Sequence, residues 1–476
     1  MSDLFDLDAL RRRLATAPDA AAFQPLGLRT VVFGSGALER LPDVVADLVA
    51  ARTAGPVAGP VAVLSDRTPK RCRGSADLLA TVTGALAARF AVRPATVGLA
   101  GHAVHADEET VADAGRAAAG AACLVAVGSG TVTDIGKAVA AAHGLPYAVV
   151  QTAGSVNGFA DDRSVLLVSG VKRTTPTTWA DALLVDTDVL VDAPPELNVS
   201  GFADLIATFT APADWYLAAL LGMDDVYLPT VVALAREQGS ELLAAAPLVP
   251  RADRGALERV AATLTLSGIS MGIAGTTAPC SGMEHAVGHL LEMATLQAGG
   301  EPALHGVQVG AASVVTALLW QRVLGELADG GLARVRVPDQ DVVETRVRSA
   351  FLPVDPSGAM GEECWRDVRR KLARWARAGE HVARAARDWA VHDRALRELL
   401  AAPDELVAAL RAATAPARFA ELRPVVAADD VRWAVASCHL MRERFSVADM
   451  AFLLGIWNDD CVAGLLSEAE TLKGAR

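Results

Sequence analysis

The amino-acid sequence predicts an α/β nucleotide-binding domain, Rossmann-like with a mostly parallel sheet, followed by an all-helical domain. In the first part of the chain, short apolar runs alternate with helix-length amphipathic segments, which is typical of βαβ units. After the segment Asp192–Glu196, which contains two prolines, few runs have the character of a strand. We therefore predict two domains, residues 1–193 and 194–476, with the boundary near Ala193.

The individual elements follow from the length and periodicity of the apolar runs. The predicted strands are Thr30–Phe33, Val61–Leu64, Thr96–Ala100, Cys123–Val127, Tyr147–Val150, Val165–Val168 and Ala182–Val185. Helices predicted between the strands include Leu78–Phe90 and Glu108–Ala119. The helices predicted for the second domain are Ala203–Leu221, Leu257–Gly272, Met283–Thr295, Gly310–Glu326, Glu363–Trp375, Arg384–Leu400 and Asp429–Phe445.

Composition and charge exclude several classes of protein. With 52% hydrophobic and 21% charged residues, the 476-residue chain can bury a sizeable core, and its net charge of −12 argues against nucleic acid as a partner. Six scattered cysteines form no CxxC pair, which argues against disulfides and zinc clusters. The acidic N-terminus does not match a signal peptide, and the long uncharged stretches are broken by Gly, Ser and Thr. We expect a cytoplasmic protein without membrane insertion.

The clearest local motif is a glycine turn between a predicted strand and a predicted helix. It reads Cys123-Leu-Val-Ala-Val-Gly-Ser-Gly-Thr-Val-Thr-Asp-Ile-Gly-Lys137. Glycines let a phosphate approach the backbone, and the following helix offers N–H groups and the positive end of its dipole. The candidate cofactor residues of this motif are Gly128, Ser129, Gly130, Thr131 and Asp134. An ordinary strand-to-helix turn explains the same glycines, and the motif matches neither GxGxxG nor the Walker pattern.

One further cofactor candidate closes a neighbouring predicted strand. Asp66 follows Val61–Leu64 and is placed to accept a hydrogen bond from a ribose hydroxyl. A helix-cap or turn role is the simpler explanation for an aspartate at such a position. Both interpretations remain open at the level of the sequence.

Three of the nine histidines form a second group of candidate residues. His285 and His289 are four positions apart on one predicted helical face, and His305 follows a Gly-Gly turn, 20 residues after His285. Two imidazoles with a carboxylate suit a zinc-type ion with an open coordination position. Asp204 offers that carboxylate, because an aspartate in an apolar helix start is costly unless it caps the helix or binds a ligand. Hydrogen-bonded helix histidines without a metal are the alternative.

Together these residues resemble the superfamily of iron-containing alcohol dehydrogenases and dehydroquinate synthases, and most of all its glycerol-1-phosphate dehydrogenases. The resemblance covers about residues 28–460 and implies a dehydroquinate synthase-like fold. The motifs that carry it are Val32-Phe-Gly-Ser-Gly-Ala-Leu-Glu39, Gly128–Lys137, Thr152-Ala-Gly-Ser-Val-Asn-Gly158, Gly201-Phe-Ala-Asp204, Asp214-Trp215, Ser281–His289, His305-Gly306 and His439–Val447.

The resemblance implies both a metal and a nucleotide. A divalent ion would be held by Asp204, His285 and His305, and zinc, with iron and nickel as alternatives, suits these donors. NAD or NADP would lie over the glycine turn, with Thr152 and Ser155 near the nicotinamide. The ion would polarise the oxygen of an alcohol so that hydride leaves the neighbouring carbon.

The resemblance also implies a catalytic histidine and candidates for the substrate site. His289 matches a histidine one turn beyond the metal ligand, and we predict that it relays a proton. For the substrate, a small alcohol or phosphorylated polyol, the candidates are Asn157, Asp161 and Lys172. Asn157 and the segment that begins at Asp161 depart from the usual pattern of the family. Lys172 with Arg173 fits a phosphate contact and fits a pair of solvated turn cations equally well.

The leading hypothesis is a metal-dependent, NAD(P)-linked dehydrogenase of a small polyol or polyol phosphate, acting as a homo-oligomer of two or more copies. One alternative is a dehydroquinate-synthase-like cyclase, a lyase that uses the same fold, NAD and metal but retains the cofactor. That group has glutamate at the position of Asp204 and lysine-rich substrate loops that this sequence lacks. The other alternative is a non-catalytic binding protein, against which the intact Asp204, His285 and His305 argue.

Overall fold

The computed structural model describes residues 5–51, 59–74, 76–99, 102–168 and 171–474. The chain forms two compact units, the first from Met1–Leu205 with Ala233–Thr276 and the second from Ile206–Val232 with Thr277–Arg476. The single domain boundary at residue 193 stays a prediction.

The first unit is built on a parallel sheet. The strands among the described residues are β1 (Thr30–Phe33), β2 (Val61–Asp66), β3 (Arg71–Cys72), β4 (Ala76–Asp77), β5 (Val92–Val97), β6 (Cys123–Gly128), β7 (Tyr147–Gln151), β8 (Arg163–Val168), β9 (Val171–Pro176) and β10 (Ala182–Val185). Six of them form a sheet in the order β1-β10-β7-β6-β2-β5, with every neighbouring pair parallel. The pairs β3–β4 and β8–β9 are antiparallel ribbons. The predicted parallel α/β domain is thereby confirmed.

Helices alternate with these strands as the sequence pattern predicts. They are α1 (Leu7–Ala15), α2 (Leu41–Ala51), α3 (Leu78–Ala87), α4 (Glu108–Ala118), α5 (Gly130–His143), α6 (Thr187–Asp192) and α7 (Pro195–Leu205). Apolar side chains of α2 and α3, among them Leu41, Val45, Leu78 and Val82, pack with the strands in one buried cluster. Strand β6 is buried along its whole length, which fits a central strand with both faces covered.

The rest of the described chain is helical. Its helices are α8 (Ala211–Leu220), α9 (Pro229–Arg236), α10 (Gly239–Ala245), α11 (Arg254–Ala274), α12 (Met283–Gln297), α13 (His305–Ala328), α14 (Gln340–Phe351), α15 (Ala359–Trp375), α16 (Gly379–Arg387), α17 (Trp389–Leu399), α18 (Pro403–Ala412), α19 (Ala428–Ser437), α20 (Val447–Leu453) and α21 (Asp459–Thr471). Helix α13 packs against α12, α18, α20 and α21. It is long and apolar enough to cross a membrane, but 89% of its apolar stretch is buried inside the fold, as in a core helix.

Among the predicted elements whose bounds differ from the structure, two involve proline. The strand predicted at Thr96–Ala100, of which Ala100 lies outside the described residues, is Val92–Val97 in the structure, although Pro94 lacks an N–H group for sheet pairing. Strand β5 tolerates Pro94 because it is an edge strand that pairs only with β2. The helix predicted at Ala203–Leu221 is divided, since α7 ends at Leu205 and α8 starts anew with Pro212 in its first turn.

Candidate functional site

The predicted nucleotide residues lie at the point of the sheet where ligands of open α/β proteins bind. Strands β2 and β6 are neighbours, but the chain continues from β2 to β5 on one side and from β6 to β7 on the other. Such a reversal leaves a crevice at the carboxyl ends of the two strands. Asp66 is the last residue of β2 and Gly128 is the last residue of β6. Both therefore border this crevice.

The glycine turn leads directly into α5, whose first residue is Gly130. Ser129, Gly130 and Thr131 are half-buried, and no described side chain caps the N-terminus of the helix. A Cβ on Gly128 would lie 2.3 Å from Val132 Cβ, and one on Gly130 would lie 2.6 Å from Val156 Cγ2. The glycines are thus required by packing within the protein, and an uncapped helix start suits a phosphate group.

Behind this turn, Asp134 and Asp161 belong to a buried ion-pair network. The fully buried Lys137 places its Nζ 2.6 Å from Asp161 Oδ1 and 3.2 Å from Asp134 Oδ1. Its ammonium also donates to the carbonyl oxygen of Gly158 at 2.9 Å. Burial raises the pKa of Asp134 to about 6, against the opposing charge of Lys137. Burial lowers the pKa of Lys137, but the charges of Asp161 and Asp134 raise it by more. The pKa of the ammonium is therefore raised overall.

Asp66 and Lys172 are two further predicted residues of this unit. Asp66 pairs with Lys70 and accepts a hydrogen bond from Thr68 N at 2.8 Å, which closes a turn after β2. Lys172 lies half-buried on β9 of the antiparallel ribbon. The structure thus gives Asp66 a role within its own turn, and a contact of Asp66 with ribose stays a prediction.

The segment after β7 carries Thr152, Ser155 and Asn157. Thr152 and Ser155 are buried, and Asn157 is half-buried with its backbone N–H 3.3 Å from Asp204 Oδ2. The Asn157 side chain donates from Nδ2 to Ser267 Oγ at 3.3 Å. Asp204 itself is buried, in the last turn of α7. A glycine makes this proximity possible.

That glycine is Gly201, one turn before Asp204 on α7. A Cβ on Gly201 would lie 1.8 Å from the carbonyl oxygen of Gly154, so only glycine lets the helix approach the segment after β7. The N–H group of Gly154 is also held, at 2.8 Å from Asn198 Oδ1. Asp204 and the segment 152–157 are therefore fixed together within the first unit.

The structure brings the three predicted histidines of the second unit together. His285 and His289 lie one turn apart on α12, and His305 is the first residue of α13. The ring centroid of His305 is 5.3 Å from that of His285 and 5.0 Å from that of His289. His285 and His289 are buried, and the side chain of His305 is 21% exposed. We call these three side chains the histidine cluster.

Two glutamates that the sequence did not point to lie against the rings of the histidine cluster. Glu284 Oε1 lies 3.1 Å from His285 Nδ1. Glu292 lies between the other two rings, with Oε2 3.2 Å from His289 Nδ1 and Oε1 3.1 Å from His305 Nδ1. The signal for Glu292 was its place three residues after His289, which puts both on one face of a helix.

Burial also sets the charge of His289. Burial lowers its pKa well below the usual value for histidine, and the hydrogen bond to Glu292 offsets this only in part. The ring is therefore neutral near neutral pH. A neutral imidazole can take up a proton, which a charged one cannot.

One buried carboxylate, Asp214, joins the helices that carry the histidine cluster. Its Oδ2 accepts from the backbone N–H of Met283, the first residue of α12, at 2.8 Å. Its Oδ1 accepts from Trp320 Nε1 of α13 at 3.1 Å and from the N–H of Val447, the first residue of α20, at 3.0 Å. Burial and the charge of Glu284 raise the pKa of Asp214 well above its usual value. Asp214 thereby fixes the start of α12 two residues before His285.

Known proteins resemble this chain in sequence and in fold. The profile of the iron-containing alcohol dehydrogenases matches residues 32–194. The glycerol-1-phosphate dehydrogenase of Methanospirillum hungatei is 31% identical over 329 residues, 67% of this chain and 85% of that protein. The one from Bacillus licheniformis is 28% identical over 398 residues, 81% of this chain and 92% of that protein. The solved structure of maleylacetate reductase from Rhizobium sp. strain MTP-10005 has a TM-score of 0.56 at 17% identity, covering 95% of this chain and 98% of that one.

Proposed function

The chain belongs to the glycerol-1-phosphate dehydrogenases, a family of the iron-containing alcohol dehydrogenase superfamily, and on this premise we propose that it interconverts glycerol 1-phosphate, or a closely related polyol phosphate, with its ketone. The observation that supports this proposal most strongly is the histidine cluster with its two glutamate partners. Both sequence relatives named above are glycerol-1-phosphate dehydrogenases, which does not favour the cyclase alternative.

The proposed metal ligands are Asp204, His285 and His305. Zinc, iron and nickel all bind to a set of two imidazoles and a carboxylate. Each of the two imidazoles also has a glutamate carboxylate within hydrogen-bond distance of its Nδ1, as metal-bound histidines usually do. When bound, the ion would polarise the substrate oxygen and the nicotinamide would exchange hydride with the neighbouring carbon. Asp204 and His285, which are buried, would help to keep bulk water away from that oxygen.

The other residues bind, orient and move a proton. The glycine turn and the N-terminus of α5 would receive the cofactor phosphates, with Thr152 and Ser155 beside the nicotinamide. Asn157, Asp161 and Lys172 remain the proposed substrate contacts. His289, being neutral, would accept the proton released when the alcohol becomes a ketone and return it in the other direction.

A direct test uses the purified protein with a panel of ketones and both reduced cofactors. We expect NADH or NADPH to be oxidised, seen as a loss of absorbance at about 340 nm, and dihydroxyacetone phosphate to be used far better than dihydroxyacetone. Metal analysis should find one divalent ion per chain. Release of phosphate without a net change in NAD would indicate a cyclase instead, and a metal-free protein without turnover would indicate a binding protein.

We also propose that the protein is cytoplasmic and forms a homo-oligomer. Cell fractionation would test the location, and light scattering would measure the number of copies.

A further inference from the structure

The carboxylate of Glu292 connects the proposed catalytic histidine with a proposed metal ligand. Glu292 is buried, and its two oxygens face two different rings. Its Oε2 faces His289 Nδ1, and its Oε1 faces His305 Nδ1. One donor atom from each of these three residues lies within 4.8 Å of the other two. The rings of His289 and His305 are nearly parallel, with 23° between their planes.

We propose that Glu292 is a positioning residue that sets the tautomer of both histidines at once. This inference rests on the proposed function, because it assigns His305 to the metal and His289 to the proton. It goes beyond that function because it makes the two roles depend on one side chain. A substitution at Glu292 should then affect metal binding and proton transfer through the histidines, without any contact of Glu292 itself with substrate or ion.

The physical argument concerns donors and acceptors. An ionised carboxylate only accepts hydrogen bonds, so each ring that faces it must carry its proton on Nδ1. The lone pair of each neutral imidazole is then on Nε2. For His305 this makes Nε2 the nitrogen that can bind an ion, and for His289 it makes Nε2 the nitrogen that can accept a proton.

Glu284 provides the comparison within the same helix. It faces His285 Nδ1 at 3.1 Å, but its other oxygen accepts from Thr210 Oγ1 at 3.1 Å rather than from a second histidine. Glu284 therefore orients one ring and ties it to the surrounding fold. Of these two glutamates, Glu292 is the one that orients a pair.

The substitution Glu292→Gln separates this proposal from a purely structural role. Glutamine keeps the size of the side chain but offers one accepting oxygen and one donating nitrogen. It can satisfy only one Nδ1–H group, so the other ring must move its proton to Nε2. We expect ¹⁵N NMR of the histidine-labelled, zinc-free protein to show one of these two rings in the changed tautomer.

The functional result depends on which ring changes. If His305 changes, zinc affinity should fall about 10- to 100-fold, the usual effect of losing such a partner. If His289 changes, kcat should fall while KM and zinc affinity hold. The substitution Glu292→Asp keeps both accepting oxygens on a shorter side chain. It should leave both rings protonated on Nδ1, although the hydrogen bonds become longer and weaker.

The control is Glu326→Gln on α13, where the glutamate is 42% exposed and pairs with Arg334. This control variant should leave the histidine tautomers, the zinc affinity and kcat unchanged. The proposal is wrong if Glu292→Gln leaves both rings protonated on Nδ1 with zinc affinity and kcat unchanged. Since tautomers and zinc binding are measured without substrate, they test Glu292 even if the wild-type protein fails to use glycerol 1-phosphate.

Discussion

The glycine turn after β6 and the histidine cluster of α12 and α13 represent two ways of building a site. The turn is contiguous in sequence and offers main-chain groups at the end of a strand. The histidine cluster joins side chains that are up to 20 positions apart, and each ring has a buried carboxylate partner. The turn can therefore be recognised from a local pattern, whereas the histidine cluster needs the tertiary fold.

Buried charges serve different purposes in the two regions. Near the turn, Lys137 is neutralised by Asp134 and Asp161, and the network holds segments of the fold together. In the histidine cluster, the carboxylates instead contact the rings proposed to act on the ion and the substrate. Substitutions near Lys137 should therefore lower stability first, and substitutions in the histidine cluster should lower function first.

The largest effect is expected from His285→Ala. Loss of one of three proposed ligands should remove the metal, and turnover should fall at least about 1,000-fold, or about 4 kcal/mol of transition-state stabilisation. Metal analysis and steady-state kinetics on the same preparation would measure both. His102→Ala, at an exposed histidine, is the control that should change neither.

The matched variant His289→Ala sharpens the comparison inside the histidine cluster. It should retain the metal while slowing turnover about 100-fold, because it removes a proposed proton acceptor and no ligand. A protein that loses its metal with His289→Ala and keeps it with His285→Ala would refute the assignment of the two roles.

The next largest effect is expected in stability, from Lys137→Met. Removing the ammonium leaves Asp161 and Asp134 as uncompensated buried charges, so the free energy of unfolding should fall by about 3 kcal/mol. Urea unfolding would measure it, with Lys473→Met at an exposed lysine as control. Adding Asp161→Asn to Lys137→Met should recover part of the loss, and a failure to recover any would show that Lys137 acts through packing alone.

The sequence allowed the parallel sheet, the helical remainder and the glycine turn to be predicted, because each depends on local periodicity or on contiguous residues. The first and last residues of β1 and β10 were predicted correctly because a short run of strand-forming residues marks each of them, although only β10 is buried along its whole length. It did not reveal the partners of Lys137 or the bridging position of Glu292. Those contacts depend on which side chains the fold brings together across 24 and 13 positions. Asp204 shows the same limit, because its proposed place beside His285 and His305 remains a prediction.

A smaller effect is expected at the turn from Gly130→Ala. The added methyl group should weaken cofactor binding about tenfold, or about 1.4 kcal/mol, by obstructing the approach of a phosphate. Since a Cβ there would lie 2.6 Å from Val156 Cγ2, the single variant alone cannot separate this cause from packing. The double variant with Val156→Ala removes the clash. Fluorescence titration with NADH should show the same weakening in both, and full recovery in the double variant would mean that Gly130 serves packing only.

The smallest effect concerns the pH dependence of stability near Asp134. Its pKa is raised from 3.8 to about 6 in the folded protein, so the folded state keeps this proton over a pH range in which the unfolded state has lost it. The contribution of Asp134 to the free energy of unfolding therefore falls as the pH rises from about 4 to about 6, and it is constant above about pH 6.

Asp134→Asn removes this titration. The stability of the variant relative to wild type should rise by about 1 kcal/mol between about pH 5 and pH 6 and then level off, because one pH unit corresponds to about 1.4 kcal/mol for one proton. Urea unfolding at several pH values would measure this slope, and Asp113→Asn, at an aspartate that is 54% exposed, should show none. If the difference in stability between Asp134→Asn and wild type is constant across this range, Asp134 is charged throughout. The buried network beside the turn then carries two ionised aspartates around Lys137, rather than one ionised and one protonated aspartate.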